Sequence, residues 1–549
     1  MPKVGVADFN VDHGGGHVTA DLGTRCGAAY ALADELLPDG GGARNLEGGS
    51  CLPGEVCAFA HSRERFEGIV EWLDGEQADG LEHAELEDRL QVEGRELLRV
   101  LFQDRMELRA RREARVGEVV SCAGAAHGAV ESGHDRGLST IFGQVSVERL
   151  AYRRRGEQNL YVADRLLNLP EERPSHGVRR LAAVESSKGS FDEATAAIRH
   201  STGLEIGKRQ VEQLAQAAAV DFEDFYGTQA HSLGEQGDDH DVLVISADGK
   251  GIVMRPGALR PATAQAAQRA SPKLKARLSR GEKRYRKRIA EVGAVYDVAP
   301  APRTPEDVLA STEHKTMPAP KAQRKWLTAS VVQDAATVVA DLFAEAQRRD
   351  PDHERVWVAL VDGNNHQIDR IKAEAKTRKL KVTILIDVVH VLEYLWGSAW
   401  CFFKEGDPAA ETWVHEKALA VLEGKAGIVA ASIRRKATRL GLDPDKRAKA
   451  DRAAEYLHNK RPYLDYPTAL KHGWPIATGV IEGACRHLVK DRIDITGARW
   501  GLAGAEAVLK LRALKSNGDF DAYWRYHLAQ ERRRVHQSRY ANGVIPRQG

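Results

Sequence analysis

The sequence predicts an α/β protein with a parallel or mixed sheet, and three apolar segments carry that prediction. Val242 to Ile245 runs on toward Asp248, Gly249 and Lys250. Trp357 to Val361 ends on Asp362, with Gly363, Asn364 and Asn365 behind it, and Val382 to Ile386 ends on Asp387. Short β-branched and aliphatic runs closed by turn residues are buried strands. Helical patterns separate them, Lys325 to Arg349 before the second and His366 to Lys379 before the third. Strands alternating with helices build sheets that collect their functional groups where strand ends face a crevice.

Each of the three strands therefore delivers one carboxylate to an edge. Gathered there, the acids repel one another and raise each other's pKa unless a cation lies between them. Magnesium suits such a site, because it takes hard oxygen ligands, keeps several waters and binds phosphates through one or two carboxylates. Asp-Gly is also a common turn dipeptide, so any one of these aspartates alone is equally a strand-terminating turn residue. It is the set that points to a metal.

At 549 residues with 42% hydrophobic content, the chain is long enough for two to four domains with a sizeable core. Lys and Arg number 80 against 78 for Asp and Glu, a net charge of +2, so local clustering and not overall charge must indicate any polyanionic partner. Six cysteines at 26, 51, 57, 122, 401 and 485 lack the paired spacing of a zinc site and are too sparse for a disulfide scaffold. A reduced, cytoplasmic compartment fits that usage. No apolar run reaches the roughly 18 residues of a membrane span, and the N-terminus lacks a signal-peptide pattern.

Residues 1–58 form a Gly-rich extension, with eleven glycines in the first fifty positions, and read as disordered. His13 and His17 bracket three glycines but have no further ligands at zinc spacing. From Glu82 to Ala114 the pattern is helical, with Leu86, Leu90, Leu97, Leu101 and Leu108 at steps of four and seven. This stripe serves equally as a dimer seam or as packing against its own domain. Thr140 to Arg153 reads as a small hairpin, with Val145 and Val147 alternating with polar residues. Region 59–173 is thus expected to be mainly helical.

Residues 174–230 read as a separate helical module. Ser190 followed by Glu193 is a capping box, Thr202-Gly203 is a turn, and a second helix runs from about Gly207 to Phe222. This is the layout of a helix-turn-helix, with Lys208, Arg209 and Gln210 where a reader of base edges would stand. Between Arg260 and Arg288 there are eleven Lys or Arg against one acid, Glu282. Lys283, Arg284, Arg286 and Lys287, with Tyr285 among them, favour a polyanion. Ala290 to Val298 reads as the next strand.

Beyond the third strand, Asp387 and His390 are three apart and share a face if a helix begins there. Residues 406–469 are helical in pattern throughout. A helix from about Thr478 carries Glu482, with Arg486 and Lys490 on the same side at spacings of four and eight. The tail, 516–549, is helical and basic, with Arg532, Arg533 and Arg534.

These segments together resemble the bacterial insertion-sequence DDE transposases of the IS-Kra family, related to the mutator-type group. The resemblance rests on ISADGKG at 245–251, VALVDGNNHQ at 358–367, DVVH at 387–390 and GVIEGACRHLVKDRIDITGARWG at 479–501, and it covers roughly residues 62–540. It implies a ribonuclease-H-like catalytic core over 240–405 and 470–515, an all-helical insertion at 406–469, and a preceding, mainly helical DNA-binding region. It implies Asp248, Asp362 and Glu482 as ligands of two Mg2+ ions, for which Mn2+ can substitute. Asp387 and His390 are implied beside the site, with Lys250, Arg486 and Lys490 in support. The implied partners are double-stranded DNA, as terminal inverted repeats and target, and further copies of the chain, at least a dimer on DNA. Two other readings share parts of this pattern: a structure-specific nuclease of the same fold, and a host-adopted DNA-binding protein without chemistry.

Overall fold

The computed structural model describes residues 58–228, 240–269, 286–310, 317–494 and 497–544. The glycine-rich extension, the His13–His17 pair, and Lys283 and Arg284 lie outside them.

The N-terminal region opens with an antiparallel helix pair, α1 (Ala60–Leu73) and α2 (His83–Arg111). A capping box starts α2: Glu82 accepts from the backbone of the first turn while Glu85 reaches back to the Glu82 N–H. The expected small hairpin is larger than the sequence suggested. β1 (Ala129–Thr140) pairs along β2 (Gly143–Arg153) around an Ile141-Phe142 turn. Val145 and Val147 are buried as their alternation requires. The missed strand, AVESGHDRGLST, carries two glycines and few β-branched residues, so it has little strand signal of its own; its partner and α2 create its buried face.

Next come α3 (His176–Lys188), α4 (Phe191–Thr202) and α5 (Lys208–Ala218). Ser190 and Glu193 form the expected capping box, and Gly203 ends α4 at φ 71°, a left-handed position that favours glycine. The three helices enclose a core of Val178, Ala182, Ala194, Ile198, Val211 and Leu214. After the short helix α6 (Phe222–Thr228), the chain enters the sheet.

Five strands form one mixed sheet in the order β5-β4-β3-β6-β7: β3 (Val242–Val253), β4 (Lys287–Val298), β5 (Ala322–Ser330), β6 (Trp357–Val361) and β7 (Val382–Ile386). β3, β4 and β5 are antiparallel, whereas β6 and β7 join β3 in parallel. Val242 to Ile245 are all buried, as a central strand covered on both faces must be. The sheet contains a strand that the sequence hid: Lys325 to Arg349 is not one helix but the end of β5 followed by α7 (Ala335–Arg349), which Asp334 caps. α7 lies against β4 so closely that a side chain on Gly293 would meet Leu342. α8 (Asn365–Arg378) follows β6, and α9 (Val388–Phe402) follows β7. Three helices, α10 (Pro408–Leu422), α11 (Ala426–Arg439) and α12 (Pro444–Lys460), then form the helical block, and α12 returns to α9 through Tyr456 stacked on Tyr394 at 3.9 Å.

α13 (Gly479–Ala484) leads by way of a wider helical turn to α14 (Leu502–Asn517) and α15 (Phe520–Glu531). This end of the chain is helical, as expected, and it is packed: Leu511, Leu514, Tyr523 and Trp524 share a core with Ala215, Ala218 and Phe222. Arg179 bridges Glu531, and Asp221 accepts from both His527 and Arg534. The residues around 174–228 and the chain's end therefore form one folded body. Arg532, Arg533 and Arg534 all stay exposed, and Arg534 is held by Asp221 and Glu531.

Burial alone would raise the Asp221 carboxyl, but the His527 and Arg534 hydrogen bonds outweigh it and hold the pKa down at about 2. A depressed carboxylate stabilises the fold above its unfolded pKa of about 3.9 and loses that contribution as pH falls toward 2. Asp221→Asn is expected to destabilise the protein by about 2 kcal/mol at neutral pH, because Arg534 and His527 lose the negative charge and one of the two acceptor oxygens. Thermal unfolding should show the variant and wild type converging at low pH; a gap that persists at pH 2 would disprove the assignment.

Candidate active site

Strand register decides where the acids stand. Ser246 is paired with Leu360 in the parallel β3–β6 ladder, and Val361 with Ile386 in β6–β7. Two residues beyond the first pair and one beyond the second, Asp248, Asp362 and Asp387 fall level with one another in a single row. One detail differs from the sequence reading. Asp248 does not end its strand, because β3 continues to Val253 in antiparallel pairing with β4, with Asp248 opposite Val292. What ends there is the parallel half of the sheet, and the row lies along that edge.

Each acid is held differently. Asp362 leaves β6 into a loop where its Oδ1 accepts from the Asn364 N–H at 2.8 Å, and its carbonyl accepts from the Tyr456 hydroxyl at 3.1 Å. The next residue must be glycine: Gly363 has φ 90°, and a Cβ there would come within 2.6 Å of the Tyr456 oxygen. Asp248 accepts from the Gly249 N–H at 2.6 Å and from the Cys485 thiol at 3.2 Å. Asp387 is fully buried and caps α9. Its Oδ1 accepts from the Val389 N–H at 2.9 Å, and its Oδ2 accepts from Thr478 Oγ1 at 2.6 Å and faces His390 Nδ1 at 3.0 Å. Asp387 and His390 thus share a face, as their spacing predicts.

Glu482 comes to the row from the exposed side of α13. Asp387, His390 and Glu482 each offer a ligand atom, and these atoms lie within 4.8 Å of one another. Partial burial, then the charge of Asp387, raises the Glu482 pKa, while His390 opposes the shift and Asp248 adds to it. The hydrogen bond to Asp387 pushes His390 up to about 9, against the desolvation of its ring, with Glu393 and Asp362 adding to the effect. The charges of Asp248, Asp362, Asp387, His390, Glu393 and Glu482 thus act on one another at this edge. The thiol of Cys485 is pushed up by burial and by Asp248.

The supporting residues expected around Glu482 are placed less simply. Arg486 and Lys490 do not follow it down one helical face, because Cys485–Lys490 is a π-helical turn in which the i, i+4 spacing no longer stacks. Both are exposed, and Arg486 lies 3.7 Å from Asp491. Lys250 is exposed on β3 two residues beyond Asp248. Lys208, Arg209 and Gln210 are exposed at the start of α5, with Lys208 paired to Asp192. Arg286 and Lys287 stand at the entry to β4, and residues 270–285 of the basic stretch lie outside the described residues.

Four residues of the site escaped sequence reading. Thr478 directly precedes α13 and is a capping residue type, a local signal that its position offered. Glu393 stands three residues after His390 on α9, which periodicity could have found. Tyr456 comes from the helical block and Cys485 from the π turn, and neither has a sequence signal.

The donor set fits a hard divalent cation. Asp362 keeps one carboxylate oxygen, and Glu482 both, without a hydrogen bond among the described residues, whereas both Asp387 oxygens are taken by protein donors. No known protein family matches this chain, and no curated protein matches it.

The Asp387–His390 pair gives a direct test. A raised histidine pKa contributes stability that is full below its unfolded value of about 6.5 and is lost as pH rises through the folded value. Replacing Asp387 with Asn removes the anion and should return the His390 pKa, read by NMR titration, from about 9 toward the ordinary range. An unchanged titration would mean that another group holds the imidazole.

Proposed function

We propose that this chain is a DNA transposase that binds element ends and catalyses magnesium-dependent strand cleavage and strand transfer. The observation that carries the reading is the level row of Asp248, Asp362 and Asp387 along one sheet edge, with Glu482 brought to it on α13. The strand order, three antiparallel strands followed by two parallel ones, supports a ribonuclease-H-like core, as does the entry of Glu482 after a helical block. The motifs that resemble IS-Kra transposases fall on these same elements.

Asp248, Asp362 and Glu482 are the residues that would hold Mg2+. When bound, the metal would supply Lewis-acid activation of water or a 3′-hydroxyl and charge stabilisation at the phosphate. The chain's own contribution is to fix the carboxylates and their charge. Tyr456 anchors the Asp362 backbone, Thr478 and the α9 N-terminus hold Asp387, and protonated His390 offsets part of the negative charge beside Glu482. His390 supports the site without being a ligand, since nitrogen is a poor match for magnesium and this ring is committed to Asp387. The α4–turn–α5 unit reads transposon ends through Lys208, Arg209 and Gln210, while Arg286 and Lys287 add contacts to phosphates.

Cleavage and joining of a labelled transposon-end duplex with magnesium tests the whole reading. Asp248→Asn, Asp362→Asn and Glu482→Gln should each abolish cleavage while leaving end binding nearly intact, because a lost ligand costs several kcal/mol of transition-state stabilisation. Cleavage within about tenfold of wild type would remove that residue from the site. Cleavage without joining would favour a structure-specific nuclease, and binding without either would favour a host-adopted DNA-binding protein.

Recognition is separable from chemistry. Lys208→Ala with Arg209→Ala should reduce the preference for ends over unrelated duplex, whereas neutralising Arg286 and Lys287 should flatten the salt dependence on all DNA. Competition binding across a salt series distinguishes the two; if both variants changed only the salt slope, α5 would not be the reader.

A further inference from the structure

The parallel ladder between β6 and β7 ends just before the acids. Its last pair is Val361 with Ile386, and the Asp387 N–H donates to the Val361 carbonyl at 2.9 Å. Asp362 and Asp387 follow directly, at the point where strand pairing ceases to oppose the repulsion between carboxylates. A single stretch at the close of the helical block reaches both strand ends. From α12 the Tyr456 hydroxyl donates to the Asp362 carbonyl at 3.1 Å, and six residues after α12 ends the Tyr466 hydroxyl donates to the Ile386 carbonyl at 2.8 Å.

Between the two tyrosines the contacts continue. Lys460 stands one helical turn beyond Tyr456 on the same side of α12, is 8% exposed, and donates to Asn365 Oδ1 at the start of α8. An ammonium group taken out of water beside a neutral amide is costly unless an anion nearby offsets the loss of hydration. Burial lowers the Lys460 pKa, Tyr463 and then Asp362 and Asp369 oppose that shift, and the Asp362 charge therefore acts on this lysine. Tyr463, in the turn after α12, accepts from Lys372 of α8, and its ring lies 4.9 Å from the same ammonium. Tyr456 is itself fixed by its stacking on Tyr394 of α9. The stretch thus grips the loop and helix that follow β6 as well as the end of β7.

We propose that residues 456–466 form a clasp that sets the separation of the Asp362 and Asp387 strand ends, with Tyr456, Lys460 and Tyr466 as positioning residues for the cation site. The proposal rests on the reading of the acid row as a cation site, and it gives the helical block a role there as the carrier of the clasp. The three residues bond to two backbone carbonyls and one side-chain amide, so none of them occupies a carboxylate oxygen that a cation would use.

Mn2+ binding to the full-length chain without DNA, followed by electron paramagnetic resonance, tests the clasp. The share of bound Mn2+ that is lost in Asp362→Asn reports this site. Tyr456→Phe, Tyr466→Phe and Lys460→Met should each raise its Mn2+ dissociation constant about fivefold, and Tyr456→Phe with Lys460→Met about twentyfold, because each change removes one hydrogen bond. Helix content by circular dichroism should not change. Ile433→Val, in the core of the same block on α11, separates the clasp from stability: it should lower the melting temperature while leaving Mn2+ affinity as in wild type. Clasp variants that bind Mn2+ as wild type does, or an Ile433→Val variant that loses as much affinity as they do, would overturn this proposal and leave the cation reading standing. A wild type without Asp362-dependent Mn2+ binding would overturn both.

Discussion

The parallel register of β3, β6 and β7 is the constraint on which the rest of this structure depends. A parallel ladder aligns residues level with one another, and the offsets of one and two positions from the last pairs bring Asp248, Asp362 and Asp387 into line. A slip of one residue in either ladder would send one acid to the other side of the sheet, where helices pack. The buried apolar side chains of β3 and β6 and the buried end of β7 resist such a slip.

How that negative charge is managed differs along the row. Asp387, the deepest, is neutralised by the protein itself through the α9 N-terminus, Thr478 and His390. Asp362 and Glu482 keep acceptor atoms open, and Asp248 lies between, with a thiol as its outer partner. This gradient separates a carboxylate that orients its neighbours from carboxylates available to a cation. It also explains the role of the π turn after α13. The wider turn seats Cys485 toward Asp248 while Arg486 and Lys490 face solvent.

The helical module and the acidic edge are mechanically joined. Arg492, 2% exposed, donates to the Ser186 carbonyl at the end of α3 and lies against Phe191 and Trp500. Arg512 on α14 donates to the carbonyls of Ser187 and His487. Two arginines therefore tie the C-terminus of α3, where the helix dipole is negative, to the segment that follows Glu482. Burial costs both guanidiniums part of their basicity, and carbonyl acceptors replace an acid partner. The position of α4 is thereby coupled to the segment that follows Glu482 through arginine side chains, which hold backbone carbonyls and stack on Phe191.

The sequence by itself determined what local pattern can encode. Strands β3, β6 and β7 are legible as apolar runs, the Ser190 box and Gly203 mark both ends of α4, and Asp387 with His390 follow from helical spacing. The four acids and the histidine could be named because each follows an apolar strand run or stands one turn into a helix. Only the tertiary structure decided the rest. β1 and β5 become strands because partners offer them a ladder, Tyr456 and Cys485 reach the site from segments 94 and 237 residues away from their acid partners, and the tail packs its aromatic side into a core with α5 and α6. Periodicity reports which face of an element is apolar, but it does not report which surface meets that face. That depends on long-range contacts whose free energy exists only once the chain has closed on itself.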